Sequence, residues 1–288
     1  MKSPIARKID GRTKAAKYNL RHSNYYDPER PHLSSSRLRD YFKSPHLFYK
    51  KHVQKSIPPL TLDSKPVKRG QLVDKMLTED SIEPYEIKVL KRDDPDTYQA
   101  QKDTPSHHLV RQSTFDEATQ IVTAIEDTQA WEQIIDPAQP PMFQPILEAQ
   151  ISKTPVCGMA DVIKPLSNSD EFDYALVDIK TTTPRSLEYW SRHVDDFHYT
   201  NQLALYRDML AFQKDTSPKR IACYHLTAAY VEDGLTKIEL FRFPSANLDK
   251  AMDEIHKAIT SIENEHFPKP DVTFDNPSVI PEVWQENE

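Results

Sequence analysis

Between Ile146 and Thr182 the sequence runs in three apolar segments, and each is interrupted by an acidic residue. Ile146 to Ser152 carries Glu148, Val156 to Lys164 carries Asp161, and Asp173 to Thr182 carries Asp178. Pro, Ser, Asn and Asp punctuate the intervals, as expected between consecutive strands. A charge inside such a run is costly to bury unless it is paired or bound to a metal. In the third segment, YALVDIKTTT, strand alternation sends Val177 and Ile179 into a core and sets Asp178 and Lys180 side by side on the opposite face. Alone, an Asp-x-Lys pair reads as a solvated ion pair. Acids on three neighbouring strands, with a lysine beside the last, instead favour a hard-cation site with oxygen ligands, suited to Mg²⁺ or Mn²⁺.

Composition narrows the field. The chain has 288 residues, 38% hydrophobic and 28% charged, enough to bury a core in one large domain or two smaller ones. Four glycines exclude a glycine-rich phosphate loop of the P-loop or dinucleotide type. No stretch approaches the ~20 apolar residues of a membrane helix, and no hydrophobic signal region follows the start. Cys157 and Cys223 lie in apolar, strand-like surroundings and read as reduced core residues of a cytosolic protein. Charge is uneven. Residues 1–55 hold 14 Lys and Arg against 4 Asp and Glu, whereas the rest of the chain is acidic. A basic arm on an acidic body reads either as a polyanion site or as a solubilising tail.

Residues 1–32 lack apolar periodicity and read as that flexible arm. A serine among Ser34, Ser35 and Ser36 then caps a helix that buries Leu38, Tyr41 and Phe42, and Pro45 breaks it. Its polar face offers Arg37, Arg39 and Lys43, and basic residues interleaved with aromatics can track a phosphate backbone, with Tyr199 as a further candidate contact. After the proline-rich linker Ile57 to Pro66, the pattern predicts helices over 68–78 and 114–135, with loop and one short strand at 85–90 between them. His107 and His108, in that loop, lack metal-ligand spacing. Beyond the three strands come an amphipathic stretch over 187–212, strands over 221–230 and 237–243, and a helix over 248–265. In the amphipathic stretch Gln202 and Tyr206 share a helical face, with Tyr199 close by. The order predicts a mixed α/β domain with a central sheet of about five strands, preceded by a helical lobe.

The set Glu148, Gly158-x-x-Asp161, Asp178-x-Lys180 and Gln202-x-x-x-Tyr206 resembles the RecB-like branch of the PD-(D/E)XK nuclease superfamily. Within it, the Ser34–Tyr49 helix with its Ser-Pro and aromatics, and Gly70 in the next helix, look like exodeoxyribonuclease VIII (RecE-type) domains. The resemblance spans about Tyr25 to Pro270. It divides the chain into a basic arm (1–32), a nuclease-like domain (33–270) with a helical lobe (33–142) and a catalytic core (143–266), and an irregular tail (271–288). It implies Mg²⁺- or Mn²⁺-dependent hydrolysis of linear duplex DNA, 5′→3′, leaving 3′ single strands for recombination and repair. It implies further a ring-shaped homo-oligomer, a single-strand annealing partner, and a bacterial or phage-encoded cytoplasmic protein with no membrane association. Asp161, Asp178 and the Ile179 carbonyl would bind metal, with Glu148 at a second ion. Lys180 would orient the water or stabilise the charge that develops on the phosphate, while Gln202 and Tyr206 would position the strand or brace Lys180. One departure stands out: Asp74 occupies the place of the family's metal-binding histidine. Either its oxygens take over that ligation, or the site is weakened or lost and the protein only binds DNA. An endonuclease of the same superfamily is the further alternative.

Overall fold

A computed structural model describes residues 31–57, 64–79, 83–88, 93–231 and 235–267. The arm up to residue 30, most of the linker, Val89 and Leu90, and the tail 271–288 lie outside the described residues.

The described chain opens with β1 (Leu33–Ser34) and α1 (Ser35–Lys43). The Ser34 hydroxyl accepts from the Arg37 N–H to start α1, and Ser44 does the same for Leu47 to start α2 (Pro45–Phe48). A π turn (Tyr49–Val53) follows. Helix α3 (Lys65–Glu79) leads through β2 (Glu86–Ile87), α4 (Pro95–Ala100) and β3 (Leu109–Val110) to α5 (Gln112–Glu126) and α6 (Gln129–Ile134). The pattern had predicted one helix over 114–135. The break comes at Thr128, whose hydroxyl donates to the Ile125 carbonyl (2.6 Å) and accepts from the Trp131 N–H (3.1 Å), ending one helix and capping the next.

Then come β4 (Met142–Phe143), β5 (Ile146–Ile151), β6 (Thr154–Met159), β7 (Val162–Pro165) and β8 (Tyr174–Thr182). The single strand expected over 156–164 is two strands in two sheets. Among the described residues, one sheet has the order β1-β6-β5 and the other runs through β8, β7 and β4. The chain from Met142 to Pro165 is thus one long hairpin that bends partway along. At the bend Gln144, at φ 47°, donates its N–H to the Asp161 carbonyl (3.0 Å), and the Ala160 N–H reaches the Pro145 carbonyl (3.2 Å). Asp161 therefore sits where the hairpin passes from one sheet to the other.

The stretch after β8 is three helices, not one: α7 (Pro184–Glu188), α8 (Trp190–Asp196) and α9 (Tyr199–Gln213). His198, at φ 54°, turns the chain between α8 and α9. Nor is α9 amphipathic. Every residue from Leu203 to Ala211 is buried, including Arg207, whose guanidinium is held by Asp208 and Asp249. A helix enclosed all round needs no polar stripe. Strands β9 (Ile221–Tyr230) and β10 (Thr236–Phe243) complete the second sheet in the order β10-β9-β8-β7-β4, and α10 (Ser245–Glu263) packs on α9. Only the β8–β9 pair in that sheet is parallel, with α7 to α9 forming its crossover.

The sheet is covered on both faces. Val177 and Ile179 join Leu72, Val73 and Ile121 of α3 and α5, as the alternation required. On the other face Leu176 and Ile163 pack with Leu203, Tyr206 and Leu210 of α9 and with Ile255 of α10. Cys157 and Cys223 are free and buried. No described helix is long and apolar enough to cross a membrane.

Candidate active site

Strand β8 brings Asp178 and Lys180 to the face under α9. Asp178 is 1% exposed, and its Oδ2 forms an ion pair with Lys180 Nζ. The Gln202 amide, from α9, donates to Asp178 Oδ1 (3.1 Å) and to the Tyr206 hydroxyl (3.4 Å). That hydroxyl lies 3.2 Å from Ser35 Oγ at the start of α1. Burial pushes the Tyr206 phenol up to about 12, so it stays protonated. The ring fits because β6 passes beneath it at Gly158, where a Cβ would stand 2.2 Å from Tyr206 Cε1. Gln202 and Tyr206 thus share one helical face, as their spacing predicted.

Asp161 approaches from the hairpin bend, and the Ile179 N–H donates to its Oδ2 (2.6 Å). At Ile179 the structure thus shows the backbone N–H directed at the Asp161 carboxylate. Asp74 approaches from α3, where Gly70 lies against the Thr181 hydroxyl and allows the helix close to β8. Its Oδ2 accepts from Gln144 Nε2 (3.0 Å), which also donates to Thr78 Oγ1 (2.9 Å). Its Oδ1 is buried without a hydrogen-bond partner among the described residues.

These groups feel one another. Burial, offset in part by Lys180 and reinforced by Asp178, raises Asp74 to about 6. Burial together with Asp178 and Asp74 raises Asp161 well above the usual carboxylate range. Burial alone would lower Lys180, but Asp178 and Asp161 overcome it and hold the ammonium charged. Three carboxylates against one ammonium leave a shortage of positive charge that a divalent cation would relieve. The hard oxygen donors and the partnerless Asp74 Oδ1 suit such an ion. Among the described residues no three His, Cys, Asp or Glu side chains already surround one point as a cage. The carboxylates are engaged instead by Lys180, the Ile179 N–H and the Gln144 and Gln202 amides.

Glu148 is placed differently. Its strand belongs to the smaller sheet, opposite Cys157, while the adjacent pair Leu147 and Gly158 faces Tyr206 and α9. Its carboxylate meets His32 (3.3 Å), which is 1% exposed. The charges acting on Asp74, Asp161 and Lys180 are chiefly their own and that of Asp178. The structure brings Asp161 and Asp178 together through the Ile179 N–H, while Glu148, in the smaller sheet, is seen paired with His32.

Of the expected DNA contacts, Arg37 donates to the His32 carbonyl (3.0 Å). Tyr199 lies under Lys180 Nζ (5.0 Å to the ring centroid), and Lys43 lies over Phe197 (5.8 Å). Arg39 acts electrostatically on Tyr199 and His198.

The sequence reading missed His225. It pairs in register with Asp178 across β8 and β9, is fully buried, and holds Nε2 3.4 Å from Asp178 Oδ2. Burial lowers it to about 4, so the imidazole is neutral, walled by Trp190, Tyr199 and Phe243. A single histidine inside an apolar strand reads as core, and only the register reveals its neighbour. Gln144, among the prolines that follow the helix predicted over 114–135, was missed as well. A separate cavity of about 360 Å³, lined by Lys65, Lys68, Lys88, Ser106, Leu109, Arg111 and Thr114, shares no lining residue with this cluster.

A scan against family models matches residues 34–268 to the PDDEXK-like domain of unknown function DUF3799. The chain belongs to that family. Its mixed α/β sheet with flanking helices is accordingly a PDDEXK-like nuclease fold. Among solved structures, a candidate exonuclease from Eubacterium rectale is similar over 94% of this chain and 100% of its own, at 14% identity and a TM-score of 0.60. That likeness concerns the fold. A second structure, of SSO0001, covers 72% of this chain and 86% of its own at 11% identity and a TM-score of 0.26, too low to carry an argument. No curated protein matches the chain.

Proposed function

We propose that the chain is a metal-dependent deoxyribonuclease acting as an exonuclease on the ends of linear duplex DNA. The observation that carries the reading is the convergence of Asp74, Asp161, Asp178 and Lys180 in a chain of a PDDEXK-like family. Asp74, Asp161 and Asp178 are the residues that would hold Mg²⁺ or Mn²⁺. Such an ion polarises a phosphodiester and lowers the pKa of attacking water. Lys180, kept charged by its carboxylate neighbours, stabilises the negative charge that develops on the phosphate. Gln202 fixes Asp178, and the Tyr206 hydroxyl fixes Gln202, so the geometry is set before substrate arrives. Asp74 standing where the family's histidine is expected fits this role, because α3 delivers its carboxylate into the same charge cluster.

The resemblance to RecE-type domains extends the reading to 5′→3′ polarity, a ring-shaped oligomer and 3′ strands handed to an annealing protein in recombination, in a bacterial or phage-encoded cytoplasmic setting. Glu148 and His32 then act as a structural pair beside the site rather than at a second ion.

The test compares linear duplex DNA with covalently closed circles of the same sequence, with Mg²⁺ or Mn²⁺ and with chelator. Shortening of linear DNA alone, lost on chelation and in Asp178→Ala, supports the reading. Cleavage of closed circles would replace it with an endonuclease. Binding without any cleavage would leave a DNA-binding protein on a nuclease fold.

A further inference from the structure

The cavity of about 360 Å³ beside α3 is lined by four cations, Lys65, Lys68, Lys88 and Arg111, and by no acidic residue. In a chain of net charge −7 such a gathering is not what composition alone supplies. The floor is buried and the rim is open. Lys68 is 9% exposed and Thr114 2%, whereas Lys88, Ser106 and Arg111 are exposed. Lys68 Nζ donates to the carbonyls of Ser106 (2.9 Å) and Leu109 (2.7 Å), which fixes its ammonium in the floor. The backbone sets Lys88 and Arg111 together. Strands β2 and β3 run parallel with Ile87 opposite Val110, and the Lys88 N–H donates to the Val110 carbonyl (2.7 Å). The next residue on each strand, Lys88 on one and Arg111 on the other, therefore stands beside its counterpart.

Like charges so placed repel, and neither side chain has an ion-pair partner among the described residues. Lys65 does have one, Glu117 (2.5 Å), but Arg69 draws on the same carboxylate (3.3 Å). Helix α5 begins directly after Arg111, with no side-chain cap and no acid in its first turn, so its first amide N–H groups are left for an anion. One carboxylate would bring a single charge to this rim. A phosphate group brings about −1.5 to −2 near neutral pH, with three acceptor oxygens for the Arg111 fork and the helix amides. The volume falls within the range of small-molecule sites, about 300–1,000 Å³. Position decides between a free ligand and the strand held for cleavage. Lys65 precedes Asp74 by about two and a half turns and so lies on the opposite side of α3, and Lys68 is turned from Asp74 by about 120°.

We infer that this cavity is a second ligand site, which takes a small anion bearing phosphate, such as a nucleotide or pyrophosphate, apart from the Asp178 cluster. Arg111 and Lys88 hold the phosphates at the rim, the first amides of α5 face them, and Lys68 supplies the fixed charge beneath. The inference stands independently of the nuclease reading.

The test is calorimetric titration of the full chain with pyrophosphate, without divalent metal. Wild type is expected to bind. Arg111→Ala and Lys88→Ala, both at exposed positions, should each weaken binding by about tenfold, the size of one lost charge-assisted hydrogen bond. Lys180→Ala should bind as wild type does. A second arm uses a fluorescein-labelled dumbbell duplex with closed ends. Dumbbell binding that pyrophosphate leaves untouched, and that Arg111→Ala retains, supports a free ligand. Displacement of the dumbbell by pyrophosphate, with Arg111→Ala weakened on both, keeps the phosphate site but overturns the free ligand in favour of a nucleic-acid backbone. Absence of pyrophosphate binding by wild type at millimolar concentration would overturn the proposal, as would equal affinity in wild type and both rim variants. So would a loss in Lys180→Ala with Arg111→Ala intact, because the anion would then sit at the Asp178 cluster. No arm depends on cleavage, so failure of the nuclease reading, seen as absence of metal-dependent hydrolysis, is a separate result.

Discussion

The Ile179 N–H donates to Asp161 Oδ2 at 2.6 Å, so the strand that carries Asp178 and Lys180 also fixes the carboxylate arriving from the hairpin bend. One backbone thereby aligns three charged groups. Its side chains at Val177 and Ile179 anchor it in the core beneath α3 and α5. The site's accuracy rests on a buried strand, not on a loop.

Gly158→Ala is expected to be harmful for a reason unrelated to backbone freedom. An added Cβ would stand 2.2 Å from the buried Tyr206 ring. Overpacking of this kind costs about 1–3 kcal/mol, or about 2–12 °C in Tm for a domain of this size. Gly70→Ala meets only the Thr181 hydroxyl, at 3.0 Å, and its helix propensity improves. It should stay within about 1 kcal/mol of wild type. Thermal denaturation of both variants checks the contrast.

His225→Phe is expected to leave stability nearly unchanged. The imidazole is neutral, fully buried, surrounded by aromatic rings and without a hydrogen-bond partner among the described residues. Replacing such a group with a ring of similar shape removes a poorly satisfied polar atom. Cleavage should fall nevertheless, because Asp178 Oδ2 loses the neighbour that faces it across the sheet. Urea denaturation and a nuclease assay on the same preparation separate the two effects.

Much of this was legible in the sequence, and the reason is periodicity. From Val177 to Lys180 apolar and charged residues alternate, so Asp178 and Lys180 could be assigned a face from the sequence alone. Gln202 and Tyr206 could be paired by helical spacing. The bend at Asp161 was hidden, because apolar residues continue on both sides of it and nothing local says that the strand changes sheets. That same bend puts Glu148 in a different sheet from Asp178, which a sequence of consecutive strands does not reveal. His32, the partner of Glu148, lies more than a hundred residues earlier and has no pattern of its own. Likewise Thr128 looks like an ordinary helix residue until its hydroxyl is seen closing one helix and opening another.

The metal-free protein should lose stability as pH rises from about 4 to about 6. Asp74 titrates near 3.8 when unfolded and near 6 when folded, so the folded chain binds the extra proton in that window. Its folded pKa is raised, so the advantage is complete below the unfolded value and gone above the folded one. The difference is worth about 3 kcal/mol at most. Asp74→Asn should flatten the dependence. Urea midpoints at either end of the window, with chelator present, provide the check.

Added Mg²⁺ should act in the opposite direction. Binding requires ionised carboxylates, and Asp74 and Asp161 hold their protons unusually strongly. The rise in Tm on adding Mg²⁺ should therefore grow as pH increases through 6, and it should shrink in Asp74→Asn.

The most direct measurement is the rate of nucleotide release from linear duplex DNA with Mg²⁺ by the wild-type chain and by Lys180→Ala, with folding of both verified by circular dichroism. Lys180 lies in the charge cluster and is the group assigned to the developing phosphate charge. The account predicts a folded variant whose rate falls by about 10²–10³-fold. A folded Lys180→Ala chain that degrades DNA at the wild-type rate would contradict it.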